Sequence, residues 1–373
     1  MMAGIYIHIP FCKQACNYCN FYFVTSVNNK ESFVTHLLKE IELQKNYLEN
    51  QTIQTIYFGG GTPSILTYDD FQKIFDQLYL HFKIDLKECT VECNPDDLTD
   101  EKITVLKSLQ SSAINRLSIG VQSFFDEDLR FMQRAHNAAE AELCIQKSLD
   151  AGFHNLTIDL IYGTPTLSHE RWLQNLTKVT NFGIQHLSSY ALTVEQKTKL
   201  HRAIKDKKLA KVEDAHSAAQ FDLLLDWAKK NDFEQYEISN FAKQQNYAVH
   251  NTSYWQGTPY LGLGPSAHSF DGHSRHWNVA NLFNYQKSIA QNILPITKEI
   301  LSTAEKTNEY LMTSLRTMWG CDLKKINHPQ LVQVQSALAE INPEFYVKKN
   351  EIIVLTDAGK HFADYIASTL FVE

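Results

Sequence analysis

The chain has 373 residues, 44% of them hydrophobic and 21% charged, with a formal net charge of −7. This is an ordinary globular composition, too long for one small core. The acidic balance argues against a nucleic-acid binder held by phosphate contacts, and no apolar run is long enough to read as a membrane span. In chain order, the first half alternates strand and helix. Strand patterns fall at Gly4–Ile9, Ile53–Phe58, Glu88–Asn94, Asn115–Val121, Leu156–Tyr162 and Ile184–Leu192. Amphipathic helical patterns fall between them at Lys30–Leu48, Tyr68–Phe82, Asp100–Leu109, Ala138–Ala151 and Ser168–Asn181, with Asp100 and Ser168 as expected N-caps. Alternating βα units predict an α/β fold with a parallel sheet and right-handed crossovers. Six of them predict a partial (β/α)6 TIM-like barrel over residues 1–193.

After residue 193 the alternation weakens. A helix at Asp214–Lys230 precedes a Gly-, Tyr- and Trp-rich stretch, Tyr236–Trp277, and residues 194–293 read as an extension capping the barrel. Helical patterns at Thr303–Thr317 and Gln330–Ile341, a hairpin at Phe345–Leu355 and a last helix at Asp357–Leu370 predict a small winged-helix-like α+β domain over 294–373.

Cys12, Cys16 and Cys19 form a C-x3-C-x2-C loop directly after the first strand. Three thiolates can hold three corners of an Fe₄S₄ cube and leave one iron open, whereas an electron-transfer cluster usually takes four cysteines. Zinc would want a fourth ligand nearby. The spacing resembles that of radical S-adenosylmethionine (SAM) proteins, in which SAM chelates the open iron. Cys89, Cys93, Cys144 and Cys321 are scattered, which fits a reducing cytoplasm better than a disulfide scaffold. The N-terminus also lacks an export-signal pattern, so a cytoplasmic location is expected.

Barrel chemistry gathers at the C-terminal ends of the strands, and the unusual residues fall there. Gly59–Pro63 follows the second strand, Glu92 ends the third and Gln122 follows the fourth; Asp159 and Tyr190 lie late in the fifth and sixth. Glycines let backbone approach a ligand, or simply make a turn. Tyr18 could pack against adenine or cap the barrel mouth. In Glu88–Asn94 the alternation puts Glu92 with Thr90 and Asn94 on the face opposite Cys89, Val91 and Cys93. A charge inside an apolar strand needs a partner, which for Glu92 is expected to be a ribose hydroxyl or an ammonium. Gln122, Arg134 and Asp159 are similar cases. A second constellation, His250-Asn251-Thr252-Ser253-Tyr254-Trp255 with His268, His273 and His276-Trp277 after it, offers imidazoles and aromatic faces to a flat metallated macrocycle, or else seals the barrel bottom.

The cysteine loop with Tyr18, then GGGTP, VECNP, IDLIYGTP and HNxxYW, together resemble the oxygen-independent coproporphyrinogen-oxidase-like radical SAM family, over most of the chain. They are most similar to its heme chaperone branch. The resemblance implies a 4Fe-4S cluster on Cys12, Cys16 and Cys19. It implies SAM contacts at Tyr6, Tyr18, Gly60, Gly61, Thr62, Glu92, Gln122, Arg134, Asp159 and Ala191. It also implies heme bound through His250 with Tyr254 and Trp255 as pocket wall, and transfer of heme to an unidentified acceptor protein. The alternative is an oxygen-independent coproporphyrinogen III oxidase. Those enzymes resemble C-x3-C-x2-C-x-C, where this chain has Phe21, and they carry a long N-terminal arm before the first strand, where this chain has about three residues. Both differences favour a chaperone without oxidase activity. No nucleic-acid partner is expected, and a homodimer is kept as an assembly to test.

Overall fold

The computed structural model describes residues 2–49, 51–109 and 113–373. Six parallel strands lie side by side in chain order: β1 (Met2–Ile9), β2 (Thr52–Gly60), β3 (Ile84–Cys93), β4 (Arg116–Gln122), β5 (Leu156–Tyr162) and β6 (His186–Ala191). Helices α1 (Lys30–Leu43), α2 (Tyr68–His81), α3 (Asp100–Ser108), α4 (Asp126–Phe131), α5 (Ala138–Asp150) and α6 (His169–Asn181) lie between them. The strand and helix order matches the sequence expectation. One cap differs: Thr99, not Asp100, caps α3 by accepting from the Lys102 amide, and Asp100 begins the helix. Ser168 caps α6 as expected, accepting from the Arg171 amide. The first helix stops at Leu43 rather than Leu48.

Alternation along the strands separates two environments. Ile5, Ile7 and Ile9, Ile56 and Phe58, and Leu117, Ile119 and Val121 face the helices and join Phe33, Leu37, Phe71, Phe75 and Ile145 in one large core. The other face looks into the barrel and is polar. There Arg116, 2% exposed, donates to the hydroxyls of Thr90 (3.3 Å) and Thr157 and lies 3.9 Å from the Glu88 carboxylate. Charges this deep are tolerated only when paired in this way.

The second half extends the same sheet at both edges. After α7 (Lys199–Lys205) and α8 (Asp214–Lys230), β7 (Glu234–Glu237) and β8 (Asn240–Ala242) continue it antiparallel beyond β6. A short helix, α9 (Val249–Trp255), crosses to the far edge. There β9 (Tyr260–Leu263) pairs parallel with β1, and β10 (His268–Phe270), β11 (Ser274–Asn278) and, past α10 (Leu282–Ala290), β12 (Ile296–Ile300) follow antiparallel, giving a 12-stranded sheet. Residues 296–300, which the sequence pattern grouped with the C-terminal unit, thus run in the large sheet.

A second core begins at Leu311. It is built from α11 (Thr303–Ser314), β13 (Cys321–Asp322), α12 (His328–Leu338), the hairpin β14 (Tyr346–Lys349) and β15 (Ile352–Leu355), and two short helices, α13 (Asp357–Lys360) and α14 (Ala363–Thr369), where one helix was expected. Its antiparallel sheet has three strands. Among the described residues, no helix is long and apolar enough to cross a membrane.

Candidate functional site

The loop after β1 is held in place by its own backbone. The Cys12 amide donates to the Val24 carbonyl (3.0 Å) and the Val24 amide to the Pro10 carbonyl (2.7 Å). Asn17 bonds the Phe131 carbonyl through its side chain (2.6 Å), and its own carbonyl accepts from the Leu200 amide (2.8 Å). Cys12, Cys16 and Cys19 are all half-buried and free of disulfides. They open onto a cavity of about 460 Å³ at the C-terminal ends of the parallel strands. Among the described residues no three His, Cys, Asp or Glu side chains close around a single ion.

The structure brings the expected residues together. Tyr18, Gly60, Gly61, Thr62, Glu92, Gln122, Arg134, Asp159 and Ala191 all line the cavity. Tyr6 does not. It stands one layer back, stacked on Tyr57 (6.0 Å between rings) with its hydroxyl 3.2 Å from His8. Gly60 adopts φ +105°, and a Cβ at Gly61 would lie 2.6 Å from the Phe11 carbonyl oxygen, so both positions require glycine. Gln122 adopts φ 68°, unusual outside glycine, and its buried Oε1 has no hydrogen-bond partner among the described residues. Strain and an unpaired acceptor facing a cavity are the marks of a position kept for a ligand.

Electrostatics divide the cavity in two. Near the cysteines, Arg134 donates to Cys16 Sγ (3.4 Å), the Asn94 side chain (2.7 Å) and the Gly120 carbonyl (2.8 Å). Burial pushes the Cys12 thiol up to about 12 and raises Cys19 as well, against the pull of Arg134. Electron-withdrawing iron would have to offset that cost to hold the thiolates. Deeper, Glu92 accepts from the Tyr57 hydroxyl (2.8 Å) and the Gly60 amide (3.2 Å), and burial followed by the neighbouring Asp159 charge raises it to about 7. Asp159, bonded to Ser118, is pushed to about 6 by burial. Two carboxylates with raised pKa values at the bottom of a polar well suit a ligand that brings hydroxyls or positive charge. Three cysteines at the mouth, an unpaired amide oxygen and glycines cleared for close approach fit a cluster with SAM across the rim. The sequence reading passed over Tyr57, Asn94, Ser118 and Ser188. Tyr57 shares a face with Thr55, opposite Ile56 and Phe58, and that alternation was its signal.

The second constellation is split by α9. Its first amides, of Val249 and His250, donate to the Glu88 carboxylate (2.8 and 2.9 Å), which ties it beneath β3. Asn251 reaches the large cavity, while Tyr254 and Trp255 line a separate cleft of about 310 Å³ toward α11. His250 is 1% exposed. One ring nitrogen bonds Thr55 Oγ1 (2.8 Å), the other the Tyr254 hydroxyl (2.7 Å), and the ring stacks on Tyr57 (5.1 Å). Burial, with Arg116 nearby, lowers its pKa to about 3. Within the fold both of its ring nitrogens are engaged, and the side chain braces α9 against β2.

Residues 6–179 match the model of the radical SAM superfamily. The chain is 32% identical to the heme chaperone HemW of Bacillus subtilis, over 87% of this chain and 86% of that protein, and 30% identical to the HemW of Lactococcus lactis, over 95% and 93%. The chain belongs to the HemW family of radical SAM proteins. Identity to the HemW of Mycobacterium tuberculosis is 29%, over 98% of this chain and 94% of that protein. Among solved structures, the coproporphyrinogen III oxidase HemN of Escherichia coli superposes with a TM-score of 0.83 at 21% identity, covering 99% of this chain and 90% of that one. At that identity the likeness speaks for the shared fold. Within the HemW frame, Phe21 stands at the cavity mouth and is 70% exposed.

Proposed function

We propose that this protein is a heme chaperone that binds heme and releases it to an acceptor protein, with a SAM-bound 4Fe-4S cluster in its large cavity. The observation that carries the reading is the near full-length similarity to proteins named heme chaperones, supported by Phe21 at a position where the oxidase-like pattern has cysteine. Cys12, Cys16 and Cys19 would hold the cluster. Bound there, cluster and SAM would supply one-electron chemistry.

The chain's own residues define what each end of the cavity does. Arg134 places positive charge beside Cys16 and favours its thiolate. The Gly60–Thr62 turn presents backbone to a ligand's polar end, and Glu92 with Asp159 accepts hydroxyl hydrogens below it. Tyr57 orients Glu92 on one side and stacks on His250 on the other, so the cavity floor and α9 share a wall. Heme is assigned to the far side of α9, around Tyr254 and Trp255. The test is to load the anaerobically reconstituted protein with heme and mix it with apomyoglobin as a generic acceptor. Stoichiometric binding followed by transfer supports the reading. Failure to bind heme at any ratio overturns it.

A further inference from the structure

One stretch of this acidic chain is strongly basic. Between residues 197 and 211 stand seven lysine or arginine side chains and a single aspartate, while the whole chain carries a formal net charge of −7. The stretch covers α7 and the turn after it. Leu200 and Ile204 point inward and join Leu129, Met132, Ile161 and Tyr18 in a small core beside the cysteine loop. With those apolar residues used, the outer side is left to charge. Lys197, His201, Arg202 and Lys205 line a surface groove of about 450 Å³. Lys197, Lys199, Arg202, Lys205 and Lys207 are exposed and make no ion pair among the described residues. Lys208 and Lys211 reach only Asp206 (3.5 Å) and Glu213 (4.0 Å). Among the described residues, no large apolar side chain is exposed between Ala191 and Ala248.

This basic groove lies at the mouth of the large cavity. Glu195 lines the cavity and Gln196 the groove, so consecutive residues form their shared rim. The Leu200 amide donates to the Asn17 carbonyl (2.8 Å) inside the cysteine loop. Tyr18, between Cys16 and Cys19, packs into the same small core as Leu200. One layer of side chains therefore separates the basic surface from the cysteines. Unpaired cations with little apolar area suit a short-lived encounter steered by charge rather than a permanent interface. The stretch also lacks the exposed apolar face with which an amphipathic helix enters a membrane, and the overall negative charge opposes a phosphate polymer.

We propose that the 197–211 face docks a small acidic one-electron carrier protein and so brings its redox centre against the cysteine loop. The proposal rests on the cluster reading above and names where electrons enter. One-electron chemistry in the cavity needs such an entry, and this face is charged, exposed and next to the cysteines. Lys197, Arg202 and Lys205 meet the carrier's carboxylates, and Tyr18 with Leu200 forms the thin wall behind them. One electron leaves the carrier's reduced centre, which is oxidised by one unit, and the cluster on Cys12, Cys16 and Cys19 is reduced by one. No bond forms or breaks and no proton has to move.

The test uses the anaerobically reconstituted full-length protein, with a reduced flavodoxin of net negative charge as the probe. A triple variant combining Lys197→Glu, Arg202→Glu and Lys205→Glu is compared with wild type. A control triple, Lys45→Glu with Lys73→Glu and Lys83→Glu, makes the same charge change at exposed lysines on and around α1 and α2. Calorimetric titration reads binding with and without the cluster, and stopped-flow absorbance reads cluster reduction. Wild type is expected to bind the flavodoxin with an affinity that falls as salt is added. The α7 triple is expected to bind it roughly tenfold or more weakly and to be reduced by it correspondingly slowly, while dithionite reduces both proteins equally fast. The control triple is expected to match wild type. Should the α7 triple not fold, Lys205→Glu alone shows the same shift at smaller size. Equal affinity and rate in the two triples overturn the proposal. So does a wild type that prefers phosphatidylglycerol vesicles or duplex DNA to the flavodoxin, which would give the face to a membrane or a nucleic acid. A cluster that dithionite reduces and the flavodoxin does not overturns the proposal and leaves the cluster reading standing. Protein that holds no iron after reconstitution overturns both.

Discussion

Glu92→Gln isolates the role of the carboxylate pair. The substitution keeps the side-chain volume and leaves an amide oxygen able to accept from the Tyr57 hydroxyl, which now lies 2.8 Å from Glu92 Oε1. What is lost is the charge that would receive a ligand's hydroxyls. Hydrogen bonds to charged groups contribute about 1.5–3 kcal/mol, so SAM affinity at pH 8 should fall roughly ten- to a hundredfold. The pH dependence is a second readout. Without ligand, Glu92 is raised from 4.5 to about 7. A ligand that bonds the ionised form must first drive the proton off, so wild-type SAM affinity should fall by up to about tenfold per pH unit below that point. Glu92→Gln should keep only the weaker dependence from Asp159, whose value is about 6. Stability follows the opposite sign. A carboxyl whose folded pKa is raised contributes stability below its ordinary value and loses it as pH rises toward 7. Unliganded wild type should therefore lose melting temperature across that window, and Glu92→Gln should lose less. Isothermal titration on the anaerobically reconstituted protein, with thermal melts from pH 5 to 8, measures both. A folded Glu92→Gln variant with wild-type SAM affinity and the wild-type pH slope would refute the assignment.

Single replacement of Cys12, Cys16 or Cys19 by Ala should abolish most iron and sulfide after reconstitution, while Cys93→Ala and Cys321→Ala, both in packed cores, leave the content unchanged; iron analysis decides. Gln122→Gly removes a non-glycine residue at φ 68° and should raise stability by about 1 kcal/mol while weakening SAM binding. A variant neither more stable nor weaker in binding would contradict both roles. His250→Ala strips Thr55 and Tyr254 of a shared partner inside the core. It should cost about 2–4 kcal/mol in chemical denaturation with iron–sulfur content intact, and a near-zero cost would argue against the brace.

The parallel half of the fold was legible because its signals are local. Each strand is a run of alternating or apolar residues long enough to read, and the order of βα units fixes which strands are neighbours. That order also put the cysteine loop, Gly60, Glu92, Gln122 and Asp159 on one rim before any coordinates. The sheet extension was not legible in the same way. Its strands β7 to β12 span five residues or fewer, and their pairing is set by partners far away in sequence, such as Gly4 with Tyr260 and His186 with Ala242. The surroundings of His250 were hidden for a related reason: its partner Thr55 lies 195 residues away. Tyr57 shows the converse: the alternation with Ile56 and Phe58 puts it on the polar face, but only the folded chain shows that it joins the Glu92 site to α9.

The central claim is that this radical SAM fold handles heme rather than converting a porphyrinogen. The most direct measurement gives the anaerobically reconstituted protein SAM, a reductant, heme and coproporphyrinogen III together, then analyses bound cofactor and porphyrin products by chromatography. The account predicts one tightly held heme and unaltered coproporphyrinogen. Decarboxylated product appearing with turnover, and no heme retained on the protein, would contradict it.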